Sequence, residues 1–281
     1  MAKKVLLADA LGVLVDNGWA GVDNLTAPGA WLVILAYTFQ LYLDFSGYCD
    51  IAIGAARLLG VRLPMNFDMP YRSRSVGEFW KRWHITLTTF LRECVYFPLG
   101  GSRRGTIRTF GNILIVYLIS GLWHGAGWTF VIWGALHGAA QIMERLWRGR
   151  QRLPGWLRWC GTFVFVNLAW VFFRAPDLAA AGTLLRAAVL GSAAAPQDWL
   201  LEGFLSTERE ALALLAPALA EPIAWAAMAA VLVIAAAVSL LPRGGERPLR
   251  PSAVRCAAEA AVLAWCVLSF TGITSFIYSN F

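Results

Sequence analysis

Apolar runs of about the length of a membrane-spanning helix recur along this sequence, and charged segments separate them. The runs lie at residues 30–60, 109–122, 126–143, 156–173, 211–241 and 257–277. A transmembrane helix needs about 20 apolar residues, and in lipid every backbone polar group must be bonded within the protein. The sequence therefore predicts an all-α polytopic membrane protein. In the fifth run the span is expected to start at Ile223, because Pro217 and Pro222 interrupt the earlier part.

The composition supports this class and argues against others. Hydrophobic residues make up 58% of the 281 residues, charged residues make up 15%, and 14 residues are tryptophans, which favour membrane interfaces. The net charge of +7 comes from basic residues beside apolar runs, so nucleic acid is not expected as a partner. The five cysteines are scattered without C-x-x-C spacing, which favours packing residues over disulfides or a metal site.

Charge alternates across the runs and predicts their orientation. Residues 57–108 hold ten Lys and Arg against three acids, which predicts a cytoplasmic segment. Residues 174–210 hold three arginines against five acids and are predicted to form an extracytoplasmic loop, with a surface helix at 178–190. Residues 109–143 are predicted to form a hairpin with two cytoplasmic ends. The basic residues at its ends and before the last span are Arg108, Arg145, Arg148, Arg150, Arg152, Arg243, Arg247, Arg250 and Arg255.

The start of the chain fits this orientation less well. The apolar run within residues 1–29 is too short to span a bilayer, so these residues are predicted to form an interfacial segment. The whole chain, 1–281, is predicted to be a single membrane domain. The alternation requires residue 30 to begin outside, yet no span precedes it. The sequence therefore indicates that upstream helices are missing.

Apolar side chains recur every three or four residues between positions 76 and 97. Phe79, Trp83, Leu87 and Leu91 carry this pattern, which predicts an amphipathic helix at 76–100 that lies along the membrane or re-enters it.

Two carboxylates, Asp44 and Asp50, interrupt the first apolar run. Ionisable groups at membrane depth usually face a partner or a watery cavity. The alternative is that both lie at a helix end near the interface, and the sequence leaves the two interpretations open.

Histidine occurs only three times, and it can exchange a proton near neutral pH. His84 lies in a polar, aromatic and basic segment, whereas His124 lies in the glycine-rich break GLWHGAG at 121–127. The first hairpin arm is only about 21 Å long at 1.5 Å per residue, so His124 should stop short of the far surface. From its position alone, His124 is equally expected to be a general base or a structural histidine that is packed in the hairpin. His137 projects from a different helix side and is predicted to be structural.

Seven runs in the sequence resemble the membrane-bound O-acyltransferase (MBOAT) family, in its bacterial polysaccharide-acetylating branch. They are KKVLLAD at 3–9, YLDFSGYCDIAIG at 42–54, NFDMPY at 66–71, RSVGEFWKRWHITL at 74–87, LRECVYFPLGG at 91–101, GLWHG at 121–125 and FIYSNF at 276–281. Glu93-Cys94 and Cys49 depart from the branch, which usually has Asp-Tyr and serine there. The resemblance covers the C-terminal part of the family fold and implies a helical bundle that lacks the family's N-terminal spans.

The resemblance implies O-acyl transfer, with acetyl as the expected group, to hydroxyls of an exported polysaccharide such as alginate. The principal catalytic histidine of the family falls on His124, and its second motif histidine falls on His84. No tightly bound cofactor is expected; acyl-CoA or an acyl carrier thioester is the donor. The expected partners are the lipid bilayer, periplasmic polysaccharide O-acetylation proteins and an acyl carrier protein, in the bacterial inner membrane. The candidates for substrate binding are Arg82, Arg92, Trp123, Asp44 and Asp50.

Other interpretations of these residues remain open at this point. Arg82, Arg92, Arg103 and Arg104 suit the phosphates of an acyl donor, but they also suit a positive-inside belt that binds lipid headgroups. Two other functions fit the sequence: a transporter or channel whose aspartates and histidines form a proton path, and an inactive fragment.

Overall fold

The computed structural model describes residues 1–147, 152–240 and 252–269, and these residues form helices without strands. The helices are α1 Asp9–Ala20, α2 Ala27–Leu58, α3 Val76–Arg82, α4 Ile85–Leu91, α5 Thr106–His124, α6 Trp128–Leu146, α7 Gly155–Arg174, α8 Leu178–Leu190, α9 Ser206–Leu215, α10 Pro217–Leu240 and α11 Ala253–Leu268, with π-helical turns at Lys3–Ala8 and Arg92–Tyr96. Arg148, Arg150, Arg243, Arg247, Arg250 and the motif at 276–281 lie outside the described residues.

Three of the described helices, α5, α7 and α10, are long and apolar enough to cross a bilayer. The predicted all-α membrane fold is therefore confirmed. The helices α2 and α6 are as long but more polar, and their crossing of the membrane stays a prediction. The helix at 178–190 was predicted and is present as α8.

Two predicted helix boundaries were wrong. The apolar spacing at 76–97 predicted one continuous helix. The structure instead has two helices, because the left-handed backbone of His84 (φ 42°) reverses the chain and separates α3 from α4. The helix α10 begins at Pro217 and continues through Pro222. A proline at the start of a helix costs no hydrogen bond, and one in the second turn removes only one, so the apolar run stays helical.

The described residues form two compact units. The first comprises the described residues of Met1–Leu63 and Gly191–Asn280, and in it α1, α2 and α10 pack on one another. Gly18 of α1 lies so close to α2 that a Cβ there would be 2.3 Å from Cγ2 of Val33.

The second unit, Pro64–Leu190, is built on a hairpin of α5 and α6. A Cβ at Gly134 would lie 2.3 Å from the carbonyl oxygen of Tyr117, and one at Gly121 would lie 2.3 Å from that of Phe130. The helix backbones are therefore in direct contact, as small residues permit in membrane helix pairs. The helices α3 and α7 pack on α6. The largest buried side chains of this unit are Phe79, Trp83, Trp133, Trp170 and Phe173.

Replacing Gly134 with alanine should destabilise the second unit by about 1–3 kcal/mol, because the new methyl group meets backbone that cannot rotate away. Thermal unfolding in detergent measures the effect. Gly111→Ala is the matched control: it lies on α5 with open space around it, so this variant should be as stable as the wild type or slightly more stable. Equal losses in both variants would contradict the close-contact argument.

Candidate active site

His124 is the last residue of α5, at the tip of the hairpin, and only 4% of its surface is exposed. Aromatic rings enclose the imidazole. Trp133 of α6 meets it edge-on at a centroid distance of 5.4 Å, and Phe173 of α7 does so at 4.9 Å. Phe130 stacks at 6.4 Å. Three helices therefore fix the ring in a place from which water is largely excluded.

His84 lies in the turn between α3 and α4, and Asn66 holds this turn. The Asn66 backbone carbonyl accepts a hydrogen bond from the Ile85 amide at 3.0 Å, and its Oδ1 accepts one from the Thr86 amide at 3.1 Å. Nδ1 of His84 lies 3.3 Å from the same Oδ1. Burial lowers the pKa of His84 to about 4, so the ring is neutral at neutral pH.

Trp123 brings the two histidines into one site. Its ring centroid is 4.8 Å from that of His124 and 6.2 Å from that of His84, and it meets both edge-on. The Trp123 residue is 57% exposed. Of the residues predicted from the sequence, His84, Trp123 and His124 thus form one cluster, and Trp123 is its exposed member.

His137 is fully buried behind this cluster, in a position that fits the predicted structural role. Its Nδ1 accepts a hydrogen bond from Nε1 of Trp80 at 3.1 Å, and its ring packs against Trp133 at 5.0 Å. Trp133 therefore lies between His137 and His124 and contacts both. The bond from Trp80 also joins α3 to α6.

The structure separates the two arginines that the sequence grouped together. Arg82 is committed to its own turn: Nη2 lies 3.0 Å from Glu78 Oε1, and Nη1 lies 3.5 Å from Asp68 Oδ2. Arg92 instead lines a cavity of about 750 Å³ in the second unit. Three further cations line that cavity, namely Lys81, Arg145 and Arg158.

The cavity has two acidic residues and an aromatic floor. Glu144 accepts hydrogen bonds from the first amides of α3, at 2.7 Å from Val76 and 3.2 Å from Gly77, so this carboxylate holds the helix start. Glu78 is the other acid. Trp80 also lines the cavity and packs on Trp133 at 5.7 Å, next to His124. The cationic cavity and the histidine cluster therefore share one wall of rings.

Asp44 and Asp50 lie in the first unit, and the three histidines belong to the second. Lys4 pairs with Asp44, which is 2% exposed, and Nζ of Lys3 lies 2.5 Å from Asp50 Oδ2. The lysines come from the π-helical turn that packs on α2. Of the two open interpretations, the pairing supports aspartates that face a charged partner.

Several residues around the cluster were not identified from the sequence. Trp133 and Phe173 belong to apolar runs in which nothing distinguishes them from packing residues. Asn66 stands in the matching run NFDMPY, but its partners His84 and Thr86 are 18 and 20 residues away, so no local signal indicates these bonds.

Comparison with known proteins agrees with this fold and cluster. The model of the membrane-bound O-acyltransferase family matches residues 22–177, which include His84, Trp123 and His124. The chain belongs to the membrane-bound O-acyltransferase family.

Its relatives include transferases of the bacterial cell envelope. It is 47% identical over 192 residues to the peptidoglycan O-acetyltransferase of Helicobacter pylori, covering 66% of this chain and 36% of that protein. It is 49% identical over 179 residues to the probable alginate O-acetylase AlgI of Pseudomonas putida, covering 63% and 36%. It is 31% identical over 140 residues to the teichoic acid D-alanyltransferase of Streptococcus thermophilus, covering 47% and 33%. The chain thus spans about a third of the length of the curated relatives it matches.

Replacing His137 with phenylalanine should lower the stability of the second unit by about 1–3 kcal/mol, because the buried indole N–H of Trp80 loses its acceptor. Thermal unfolding of the purified protein measures this loss. The double variant with Trp80→Phe removes both polar groups, so its loss should be smaller than the sum of the two single losses. Strict additivity would show that the hydrogen bond contributes nothing.

Proposed function

We propose that this chain is a catalytic part of a multi-pass O-acyltransferase of the bacterial inner membrane. It moves an acyl group from a cytoplasmic thioester to hydroxyls of an exported polysaccharide, and the proposed acyl group is acetyl. The observation that carries the proposal is the cluster of His124, Trp123 and His84, with His124 enclosed by rings at the tip of the hairpin.

In the proposed reaction His124 is the general base. It takes the proton of the acceptor hydroxyl as that oxygen attacks the thioester carbonyl. The C–S bond then breaks, the sulfur leaves as a thiolate and takes the proton from the imidazolium, and the products are an ester and a free thiol. A positioned base of this kind typically contributes about 10²–10⁴-fold to the rate.

The support for His124 in this role is its setting. Rings from α6 and α7 hold the imidazole on three sides, so it cannot swing away from an incoming hydroxyl. A water-poor site also strengthens electrostatic interactions with the charge that develops on the carbonyl oxygen.

The thioester donor is proposed to bind in the cationic cavity of the second unit. Its support is the set of four cations, which suits the phosphates of acyl-CoA or of a carrier-bound phosphopantetheine arm. Trp80 lines this cavity and packs on Trp133, which contacts His124, so one layer of rings lies between the cavity and the proposed base. This assigns donor binding to Arg92 and leaves Arg82 as a residue that holds the turn.

The acceptor is proposed to be an envelope polysaccharide, and periplasmic O-acetylation proteins are proposed partners. The support is the family membership together with relatives whose names state peptidoglycan and alginate as their acceptors. The relatives also support acetyl as the transferred group.

Replacing His124 with alanine or glutamine should lower acyl transfer by at least about 100-fold, because the base is removed. Transfer of labelled acetyl from acetyl-CoA to envelope polysaccharide is measured in membrane vesicles, with residues 1–281 alone and with any in-frame upstream coding sequence included. Ser120→Ala, one turn earlier on α5, is the matched control and should retain the rate. Unchanged transfer in a folded His124→Ala protein would refute the proposed base.

Replacing Arg92 with glutamine should raise the donor KM about tenfold with little change in kcat, because one charge-assisted contact contributes about 1.5 kcal/mol. The matched control is Arg103→Gln, an exposed arginine of the same basic segment that does not line the cavity. Equal effects of the two substitutions would favour a general basic belt over a donor site. The rate is measured against acetyl-CoA concentration at fixed ionic strength, because exposed charges are screened by salt.

A further inference from the structure

The sequence run NFDMPY has no part in the proposed reaction, yet its first residue is bonded to the second histidine of the site. Four polar groups converge on Asn66. Its Oδ1 accepts from Thr86 Oγ1 at 2.6 Å and from the Thr86 amide at 3.1 Å, and it lies 3.3 Å from His84 Nδ1. Its backbone carbonyl accepts from the Ile85 amide at 3.0 Å.

The bond from the Thr86 amide fixes which way the Asn66 side chain points. A backbone N–H can only donate, so the atom that faces it must be the oxygen of the side-chain amide. A flipped amide would set its NH₂ group against that N–H at 3.1 Å, which is two donors in contact. The atom that faces His84 Nδ1 is therefore an acceptor.

An acceptor opposite Nδ1 selects one form of the neutral imidazole. Nδ1 must carry the proton and donate it to Asn66, and Nε2 then presents a lone pair. The same network closes the left-handed turn that directs the ring toward Trp123. His137 has the opposite arrangement, because its Nδ1 accepts from Trp80 and its Nε2 carries the proton.

We propose that Asn66 is a positioning residue that holds His84 as the Nδ1–H tautomer, so that Nε2 accepts a hydrogen bond from a hydroxyl of the acceptor other than the one that attacks. This rests on the proposed function. It also distinguishes among the roles open to His84. A neutral ring with its proton on Nδ1 has no N–H at Nε2 with which to polarise the acyl carbonyl. It can orient the acceptor through a neighbouring hydroxyl, while the proton of the attacking hydroxyl stays available to His124.

The first test reads the tautomer directly and needs no activity. The chain has only three histidines, so ¹⁵N-histidine labelling in lipid nanodiscs gives few signals, which His84→Ala and His137→Phe assign. His84 should show a protonated Nδ1, and His137 a protonated Nε2. In Asn66→Ala the His84 signals should move toward the other tautomer while those of His137 stay. A wild-type His84 protonated at Nε2 would overturn the assignment.

The second test uses the pH profile of acyl transfer. Asn66→Ala should lower kcat about tenfold or more, with the donor KM unchanged, as is typical when the group that orients a functional imidazole is removed. Asn66→Asp keeps the acceptor atom but adds a charge that stabilises the imidazolium, so the acid limb of kcat/KM should move to higher pH. His124 faces His84 across Trp123, and Arg82, two residues before His84, is ion-paired with Glu78 and Asp68.

The controls separate this proposal from the proposed function. Asp68→Asn loosens the same turn without touching the imidazole, so it should leave the pH profile in place. In a His84→Ala background, Asn66→Asp should no longer shift the profile. If the wild type transfers acetyl and His124→Ala does not, an unshifted profile in Asn66→Asp refutes the role of Asn66 alone. If no protein transfers acetyl, the proposed function fails, and the NMR result still decides the tautomer.

Discussion

Direct backbone contact between α5 and α6 is the constraint on which the second unit depends. At Gly121 and Gly134 each helix occupies the space that a side chain of the other would need. This closeness brings the end of one helix and the start of the next to a single tip, where His124 lies. Dispersion between tightly packed helices replaces the hydrophobic effect inside a bilayer, so the same contact serves stability and the position of His124.

The second organising feature is the continuous set of rings behind that tip. Trp80, Trp133 and Phe173 come from α3, α6 and α7, and each adjoins the next at centroid distances of 5.2–5.7 Å. Rings of this size have few rotamers and resist deformation when packed to native density. These rings thereby give the cationic cavity and His124 one rigid boundary in common. His137 supplies the polar contact that joins Trp80 to α6.

The sequence predicts much of the architecture because it predicts local properties well. Apolar runs located α7, α8 and the hairpin, and the family motifs identified His84 and His124. The break at His84 was missed because the spacing of Phe79, Trp83 and Leu87 continues across it, and periodicity carries no information about a left-handed residue. The sequence also did not predict contacts between distant positions. Asn66 is 18 residues away from His84 in sequence, and Trp80 is 57 residues away from His137.

The left-handed backbone at His84 has a consequence for how this protein can vary. Glycine adopts such a conformation without cost, whereas a residue with a Cβ loses about 1 kcal/mol or more there. Glycine at this position would remove that backbone cost, but it would also remove the contact between His84 Nδ1 and Asn66 Oδ1 that helps to close the turn. A thermostability screen without an activity assay weighs only these two contributions to folding and does not detect any use of the imidazole.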